Sequence, residues 1–205
     1  MEKTENKRCL IVGASHAGVN VAFALRKEGW EGEIVLMDRD PHLPYHRPPL
    51  SKKYLTEDAK TEKYALKPIV IYEQKNIQLI LGKGVSSIDR TNHTLALEDG
   101  SEEAYDKLIL ATGGKCFVPP IKGLVEGKKI FSLRSAHDAQ QILKGIQGTY
   151  SKKVIVIGGG FIGLEIAASL TQLQVQVTVL ERDERILSRL TSQEVADWYQ
   201  DFHER

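Results

Sequence analysis

Short apolar runs alternate with stretches of helical periodicity along this chain, beginning close to its N-terminus. Residues 9–12 are uniformly apolar and predict a buried strand that stops at Gly13. Residues 19–28 then predict a helix, which Gly29 ends, and residues 33–37 predict a second strand. This order predicts two parallel strands joined by a crossover helix, because parallel strands need a long connection.

The middle of the chain carries shorter apolar runs separated by turn residues. A helix is predicted over residues 66–74, and Asp99 with Gly100 is typical of a hairpin turn. The pattern predicts short strands and then a buried returning strand at residues 77–81, 85–88, 94–97 and 107–111. We therefore expect a small β-meander inserted into the parallel sheet.

The opening pattern repeats beyond Pro119 and Pro120, which mark a linker. Residues 130–134 and a predicted helix over residues 135–144 lead into the repeat. A strand, a helix and a strand are then predicted at residues 153–157, 164–173 and 176–180. The second half of the chain is therefore expected to form another β-α-β unit.

The turn after the first strand matches most of the G-x-G-x-x-G pattern of dinucleotide-binding units. Gly13 and Gly18 hold the outer positions, and Ser15 replaces the middle glycine with a hydroxyl able to hydrogen-bond a phosphate. The helix that follows begins with unpaired N–H groups at the positive end of its dipole, which suits a pyrophosphate. His16 and Ala17 complete the turn, and all five residues are predicted to bind a cofactor.

The second turn carries the complete pattern, with Gly158, Gly160 and Gly163 in the three required positions. A predicted strand precedes these glycines and a predicted helix follows them, which is the context that dinucleotide binding needs. Phe161 and Ile162 lie between the glycines, and they are predicted to contact the cofactor as well.

An acidic residue ends the second strand of each unit, about twenty residues past the last glycine. Asp38 holds this position in the first unit and Glu181 in the second. A carboxylate there accepts hydrogen bonds from ribose hydroxyls and repels a 2′-phosphate, so the second unit favours NADH over NADPH. Asp38 could also be an ordinary strand-end turn residue. Arg182 is interpreted as a solvated cation that pairs with nearby acids.

Two such units predict an α/β protein with two Rossmann-like three-layer dinucleotide-binding domains and an inserted β-meander. Residues 1–115 would form an FAD-binding domain and residues 116–205 an NAD-binding domain; the family resemblance given below implies that the former is only a first segment and that the latter is incomplete at its C-terminus. FAD at the first unit and NAD at the second is the natural pairing.

Composition and charge exclude several classes of function. The net charge is +1 with acids and bases interspersed, which gives no electrostatic case for nucleic acid or an acidic membrane surface. Residues 1–8 lack the layout of a signal peptide, and no apolar stretch approaches a membrane span. Cys9 and Cys116 lie far apart without metal-site spacing. We therefore expect no metal cluster and a reducing, cytoplasmic setting.

A proline-rich loop follows the first unit. Its residues 43–52, Leu-Pro-Tyr-His-Arg-Pro-Pro-Leu-Ser-Lys, are similar to the flavin-side segment of the ferredoxin and rubredoxin reductase family. Ser51 is placed to begin a short helix. The resemblance covers practically the whole chain. It implies FAD and NADH as cofactors and an iron–sulfur acceptor protein, a ferredoxin or rubredoxin of an oxygenase system.

The resemblance also implies further site residues. Lys52 and Glu165 match family positions beside the flavin and the nicotinamide, where they can pair, and they are the expected catalytic residues. The predicted helix places Glu165 in its first turn. Arg39 stands where relatives often have an acid, so the FAD-ribose contact could fall to Asp38 or Asp40. The other matches to cofactor-binding positions are Arg39 itself, Arg47, Pro48, Val85, Ala111, Thr112, Gly113 and Arg134.

Hydride transfer between NADH and a flavin needs few catalytic side chains, because the cofactors do the chemistry. His16, His46 and His137 have no recognisable partner at a catalytic spacing and are interpreted as structural or cofactor-facing. Residues 38–55 contain no cysteine, which argues against transfer to a disulfide. Three alternatives stay open: an NADH oxidase or nitrite-reductase type of flavoprotein, a non-enzymatic protein like apoptosis-inducing factor, and an inactive truncated fragment.

Members of the resembled family continue for about as many residues again, and they return to the FAD domain with a Gly-Asp pair. No Gly-Asp turn of that kind follows a strand in this chain. We therefore expect a fragment or a natural short variant. A fragment would leave apolar sheet surface uncovered, which predicts poor solubility and weak retention of FAD.

Overall fold

The protein forms two compact units, seen in a computed structural model that describes residues 7–57, 60–124, 129–148 and 152–204. The first unit comprises Met1–His46 and Thr61–Lys115, and the second comprises Arg47–Lys60 and Cys116–Arg205.

One segment lies in a different unit from the one that the sequence predicts. The junction after Lys115 coincides with the predicted boundary, but Arg47–Lys60 packs in the second unit and not in the first. Tyr54 and Leu55 of this segment are buried, and the Gln140 amide donates a hydrogen bond to the Tyr54 hydroxyl at 3.2 Å. Burial of these two apolar side chains therefore fixes the segment to the second unit.

The secondary structure follows the alternation read from the sequence. The helices are α1 (His16–Lys27), α2 (Lys53–Thr56), α3 (Ile69–Gln74), α4 (Ala136–Gln147), α5 (Phe161–Gln172) and α6 (Gln193–Glu204). The strands are β1 (Arg8–Val12), β2 (Glu33–Asp38), β3 (Ile77–Leu81), β4 (Val85–Asp89), β5 (Thr94–Leu97), β6 (Glu102–Ala104), β7 (Lys107–Leu110), β8 (Lys153–Ile157) and β9 (Gln176–Leu180). Short 3₁₀ helices occupy Pro48–Ser51 and Thr61–Tyr64.

The first unit is built on a parallel sheet in the order β3-β2-β1-β7. The chain runs from β1 to β2 on one side and later adds β7 on the other side. The carboxyl end of β1 is therefore a topological switch point, which is where open α/β sheets bind ligands.

Both faces of this sheet are covered, which gives the unit three layers. Cys9 and Ile11 of β1 pack with residues of α1 and α3 on one face. Leu10 on the opposite face packs against Leu95 and Leu97 of β5. The predicted β-meander β4-β5-β6 is inserted in the chain between β3 and β7 of the parallel sheet, and it forms a separate antiparallel sheet that covers the parallel one.

The second unit contains the parallel pair β8-β9, with α4 and α5 packed on one face. Ile142, Leu170 and Val175 form the buried cluster of that face. Ile155 and Leu180 lie on the opposite face with exposed fractions of 64 % and 50 %. The α/β class is confirmed, and this face of the second unit carries exposed apolar side chains.

Several helix ends differ from the predicted ends for local reasons. The helix predicted from residue 66 begins at Ile69, because Pro68 lacks an N–H and disfavours helical backbone in the residue before it. The short helix expected to begin at Ser51 begins at Lys53, and a separate 3₁₀ helix over Pro48–Ser51 precedes it. Pro48 and Pro49 begin this 3₁₀ helix, since their fixed φ angles suit the first helical positions.

Candidate functional site

The first turn depends on Gly13, which follows β1 directly. Its φ angle is +109°, in the region that favours glycine, and its N–H donates to the Met37 carbonyl at 2.7 Å. A Cβ atom at Gly13 would collide with the Ala111 carbonyl. The turn and the end of β7 are therefore in direct contact, which brings Ala111 and Thr112 to the predicted cofactor site.

The third glycine of this turn is required by helix packing. A Cβ at Gly18 would collide with the Gly13 carbonyl and would lie 3.1 Å from a Leu36 methyl group. The middle position is different, because Ser15 has a φ angle of −109°, which any residue adopts. Serine therefore fits there without backbone strain.

Asp38 holds the turn in place through its carboxylate. Oδ2 accepts a hydrogen bond from the Ala14 N–H at 2.7 Å, and Oδ1 accepts one from the Asp40 N–H at 3.0 Å. An ionised carboxylate has about four acceptor sites, so Asp38 retains capacity for ribose hydroxyls.

The second unit repeats most of this geometry, although a Cβ at Gly158 would meet no atom within 4 Å. Gly158 has a φ angle of +110°, and its N–H donates to the Leu180 carbonyl at 2.8 Å. A Cβ at Gly163 would collide with the Gly158 carbonyl, as one at Gly18 would with Gly13. Gly160 precedes α5 as Ser15 precedes α1, and Phe161 and Ile162 in the first turn of α5 are about half exposed.

Glu181 performs the same task as Asp38. Its Oε2 accepts from the Gly159 N–H at 2.6 Å, and its Oε1 accepts from the N–H groups of Arg182 and Asp183 at 2.7 and 3.0 Å. The hydrogen bonds from Asp183 and Gly159 lower the pKa of Glu181. The carboxylate is therefore charged at neutral pH and keeps about one acceptor site for a ribose hydroxyl.

The first turns of α1 and α5 contain no acidic residue. The partial positive charge at each helix start is therefore not offset locally, which favours an anion such as a pyrophosphate.

Lys52 and Glu165 form the predicted pair. The Lys52 Nζ lies 2.7 Å from Glu165 Oε2, and the Ser51 hydroxyl donates to the same oxygen at 2.5 Å. Partial burial acts to raise the pKa of Glu165, but the hydrogen bonds from Lys52 and Ser51 outweigh it, so this pKa lies below its ordinary value.

The location of Glu165 within its helix differs from the prediction. Because α5 begins at Phe161, Glu165 lies in the second turn and not in the first. Its stabilising partner is the Lys52 ammonium and not the helix dipole, which acts mainly within the first turn.

Two serines that the sequence reading did not assign to the site support this pair. Ser169 is buried, and its hydroxyl donates to the Ser51 carbonyl at 2.8 Å. Ser169 follows Glu165 by four residues on α5, so both side chains lie on the same helix face. The sequence signal that could have pointed to Ser169 is a serine within the mostly apolar sequence of α5.

The structure also joins Arg47 to Arg134. The Arg47 guanidinium donates to the Arg134 carbonyl at 2.8 Å, and the Arg134 N–H donates to Asp138 at 2.9 Å. Asp138 forms a capping box with Ser135 at the start of α4. Pro48, the next residue after Arg47, offers its carbonyl to Lys52 at 3.3 Å.

The other predicted residues lie in the first unit. His16 Nε2 lies 3.2 Å from His46 Nδ1, a partnership thirty residues apart that the sequence reading did not find. Arg39 is exposed and pairs with Glu98 at 2.5 Å. Val85 begins β4 and is half-buried, while Gly113 has a φ angle of +68°. The paired and exposed state of Arg39 gives it no visible role in the turn.

Metal and membrane functions find no support in the described part of the chain. No group of three His, Cys, Asp or Glu side chains in those ranges is arranged to hold a metal ion. No helix there has the length and apolar character needed to cross a bilayer.

Comparison with known proteins relates this chain to nucleotide-dependent oxidoreductases. The family model described as pyridine nucleotide-disulphide oxidoreductase matches residues 7–205. Putidaredoxin reductase of Pseudomonas putida is 40 % identical over 200 residues, which are 97 % of this chain and 47 % of that protein. A rubredoxin-NAD(+) reductase of Pseudomonas putida is 40 % identical over 188 residues, which are 92 % of this chain and 48 % of that protein.

The same similarity appears in three dimensions. The crystal structure of a covalent putidaredoxin reductase–putidaredoxin complex aligns with a TM-score of 0.86 at 40 % identity, covering 97 % of this chain and 48 % of that one. The chain thus spans about half the length of the proteins it matches. By its sequence match and its twin glycine turns, the chain belongs to the pyridine nucleotide-disulphide oxidoreductase family.

Proposed function

We propose that this chain is the cofactor-binding part of an NADH-dependent, FAD-containing reductase that passes electrons to a ferredoxin or rubredoxin of an oxygenase system. The observation that carries the proposal is the duplicated turn. Each unit presents a left-handed glycine, a tightly packed third glycine and a strand-end carboxylate bonded to the turn. Similarity to ferredoxin and rubredoxin reductases over nearly all of the chain supports the same reading.

The first unit fits FAD. The glycine turn from Gly13 to Gly18, with Ser15, His16 and Ala17, would hold the pyrophosphate at the start of α1, and Asp38 would accept from the ribose. Ala111, Thr112 and Gly113 lie at the end of β7, against the same turn. Arg47, Pro48, Arg134, Arg39 and Val85 are further proposed contacts that follow from the family resemblance.

The second unit fits NADH. Gly158, Gly160 and Gly163 would hold its pyrophosphate, with Phe161 and Ile162 beside it. Glu181 would accept from the free ribose 2′-hydroxyl.

Lys52 and Glu165 are the proposed catalytic residues. Bound FAD would supply the redox chemistry, taking a hydride from NADH and releasing electrons to an acceptor protein. The Lys52 ammonium pairs with Glu165 and donates a separate hydrogen bond to the Pro48 carbonyl, so the pair presents a fixed charge distribution. A preformed arrangement of this kind needs no reorganisation during the reaction.

The two cysteines of this chain do not support a disulfide as the acceptor. The sequence contains two cysteines, and both are free: Cys9 is buried in β1, and Cys116 is half-buried. Burial raises the pKa of the Cys9 thiol, which makes it a poor nucleophile. We therefore place the acceptor on a separate iron–sulfur protein and the reaction in the cytoplasm.

Anaerobic reduction of the FAD-supplemented chain by NADH tests the proposal. Flavin bleaching should follow NADH addition, and a [2Fe–2S] ferredoxin or a rubredoxin should accelerate NADH consumption. Faster turnover with oxygen or nitrite than with either protein would instead favour an oxidase or a nitrite-reductase type of enzyme. No bleaching at saturating FAD and NADH would contradict an enzymatic role for this chain.

A further inference from the structure

An open pocket of about 260 Å³ lies at the carboxyl end of β9, beside the second glycine turn. Glu181, Arg182 and Asp183 line one part of it, and Ser188 and Arg189 line another. This is the end of the unit where the strand-terminal carboxylate meets a bound ribose. The charges around the pocket therefore act on whatever the ribose 2′-position carries.

Two arginines at this pocket have the chemistry to bind a phosphate, but one carboxylate holds both. Asp183 Oδ1 lies 3.3 Å from Arg182 Nη2, and its Oδ2 lies 3.6 Å from Arg189 Nε. The Ser188 hydroxyl donates to Oδ2 at 2.8 Å and fixes the carboxylate. The side chains of Arg182 and Arg189 are 81 % and 76 % exposed, while that of Asp183 is 29 % exposed.

Glu181 and Asp183 contribute differently to the charge of the pocket. Glu181 is bonded to three backbone N–H groups, which offset part of its charge. The charge of Asp183 is directed at the two guanidinium groups, which would otherwise bind a phosphate through paired N–H donors.

We propose that Asp183 is a specificity-determining residue that disfavours a 2′-phosphorylated coenzyme by holding Arg182 and Arg189. The inference rests on the proposed function, in which the second turn binds a nicotinamide dinucleotide. It adds that coenzyme choice depends on the Asp183 charge in addition to Glu181. Removal of that charge releases two cations toward the 2′-position without altering the turn.

Binding of two non-redox probes tests this inference. ADP-ribose carries a free 2′-hydroxyl, and 2′-phospho-ADP-ribose carries a phosphate at the same position. We expect the unmodified chain to bind ADP-ribose more tightly at low ionic strength, where surface charges are least screened. In Asp183→Asn, affinity for the 2′-phosphorylated probe should rise by about 2- to 5-fold relative to ADP-ribose, the range expected for solvent-exposed charges.

Matched variants separate a local effect from a change in total charge. Asp197→Asn on α6 removes one exposed negative charge outside the pocket and should leave the affinity ratio unchanged. Arg182→Gln with Arg189→Gln, added to Asp183→Asn, should abolish the gain. Asparagine retains an acceptor for Ser188, and circular dichroism should show an unchanged fold.

The outcomes distinguish the two levels of the proposal. A rise in the ratio that needs the arginines supports the role of Asp183. Retained ADP-ribose binding with an unchanged ratio in Asp183→Asn overturns it and leaves the proposed function standing. Failure of every variant to bind either probe overturns the dinucleotide assignment of the second unit and this inference with it.

Discussion

At the scale of single residues, Gly18 and Gly163 are positions where packing leaves no room for a side chain. A methyl group at either position would meet the carbonyl of the first glycine of its own turn. We expect Gly18→Ala and Gly163→Ala each to lower the free energy of unfolding by about 1–3 kcal/mol, the usual cost of overpacking. Urea unfolding followed by circular dichroism measures this loss.

Gly114→Ala is the matched control for these variants. Nothing lies within 4 Å of a Cβ built at Gly114, and its φ angle is not positive. Its free energy of unfolding should stay within about 0.5 kcal/mol of the unmodified chain. Equal losses in all three variants would show that helix–strand packing is not the reason for glycine at Gly18 and Gly163.

The Lys52–Glu165 pair predicts a dependence of stability on pH. The pKa of Glu165 is lowered in the folded chain, so its stabilising contribution is present above the unfolded-state pKa and is lost as the pH falls through the folded-state value. Both side chains are partly exposed, which limits the contribution to less than about 1 kcal/mol.

Comparison of the unmodified chain with Glu165→Gln measures this contribution. The difference in unfolding free energy should be largest near neutral pH, should begin to fall at about pH 4.3, the ordinary pKa of glutamate, and should vanish only below the lowered folded-state pKa of Glu165. Glu62→Gln changes an exposed acid in the first unit and serves as the control. A constant difference across this range would show that the Glu165 charge adds nothing to stability.

The roles of some residues follow from sequence and those of others do not. The glycine turns and strand-end acids are local patterns, so their geometry was predictable. The contacts of Glu165 with Ser51 and of His16 with His46 join residues distant in sequence, and spacing rules do not reach them. The position of Glu165 within its helix was misjudged because the helix start was placed three residues late.

At the scale of elements, Ser169 links α5 to the Pro48–Ser51 helix. Its buried hydroxyl donates to the Ser51 carbonyl, and Ser51 in turn donates to Glu165. Ser169→Ala should lower the free energy of unfolding by about 1–3 kcal/mol, because it leaves a carbonyl without its hydrogen bond. Urea unfolding followed by circular dichroism reports the change.

Thr171→Ala is the control within the same helix. The Thr171 hydroxyl donates to the Ala167 carbonyl at 2.9 Å, a bond inside α5 that joins no second element. Its removal should cost less than the Ser169 substitution, since alanine has the higher helix propensity. Equal costs would mean that the contact between the two elements adds no stability.

At the scale of the whole molecule, the order of helices and parallel strands was predictable from periodicity, and the placement of two segments was not. The meander forms its own sheet because Leu95 and Leu97 bury against Leu10, a contact between distant parts of the chain. Arg47–Lys60 belongs to the second unit because Tyr54 and Leu55 are buried there. Both outcomes depend on which apolar surfaces meet, which local patterns do not specify.

The uncovered face of β8-β9 leads to a prediction about association of the whole chain. Ile155 and Ile157 on this face are 64 % and 48 % exposed, and exposed apolar patches promote association. Threonine keeps the β-branched shape that suits a strand and adds a polar group. Ile155→Thr with Ile157→Thr should therefore raise the concentration at which static light scattering detects aggregates, with an unfolding free energy close to that of the unmodified chain.

A substitution on the opposite face shows whether this effect depends on the exposed surface. Val154 packs against the cluster around Leu170, so Val154→Thr removes apolar contact from the core. It should lower the free energy of unfolding by about 1 kcal/mol or more and should not reduce aggregation. If the Ile155 and Ile157 substitutions left the scattering onset unchanged, association would have to arise from another surface. That outcome would mean that the exposed face of β8-β9 does not determine the concentration at which the chain aggregates.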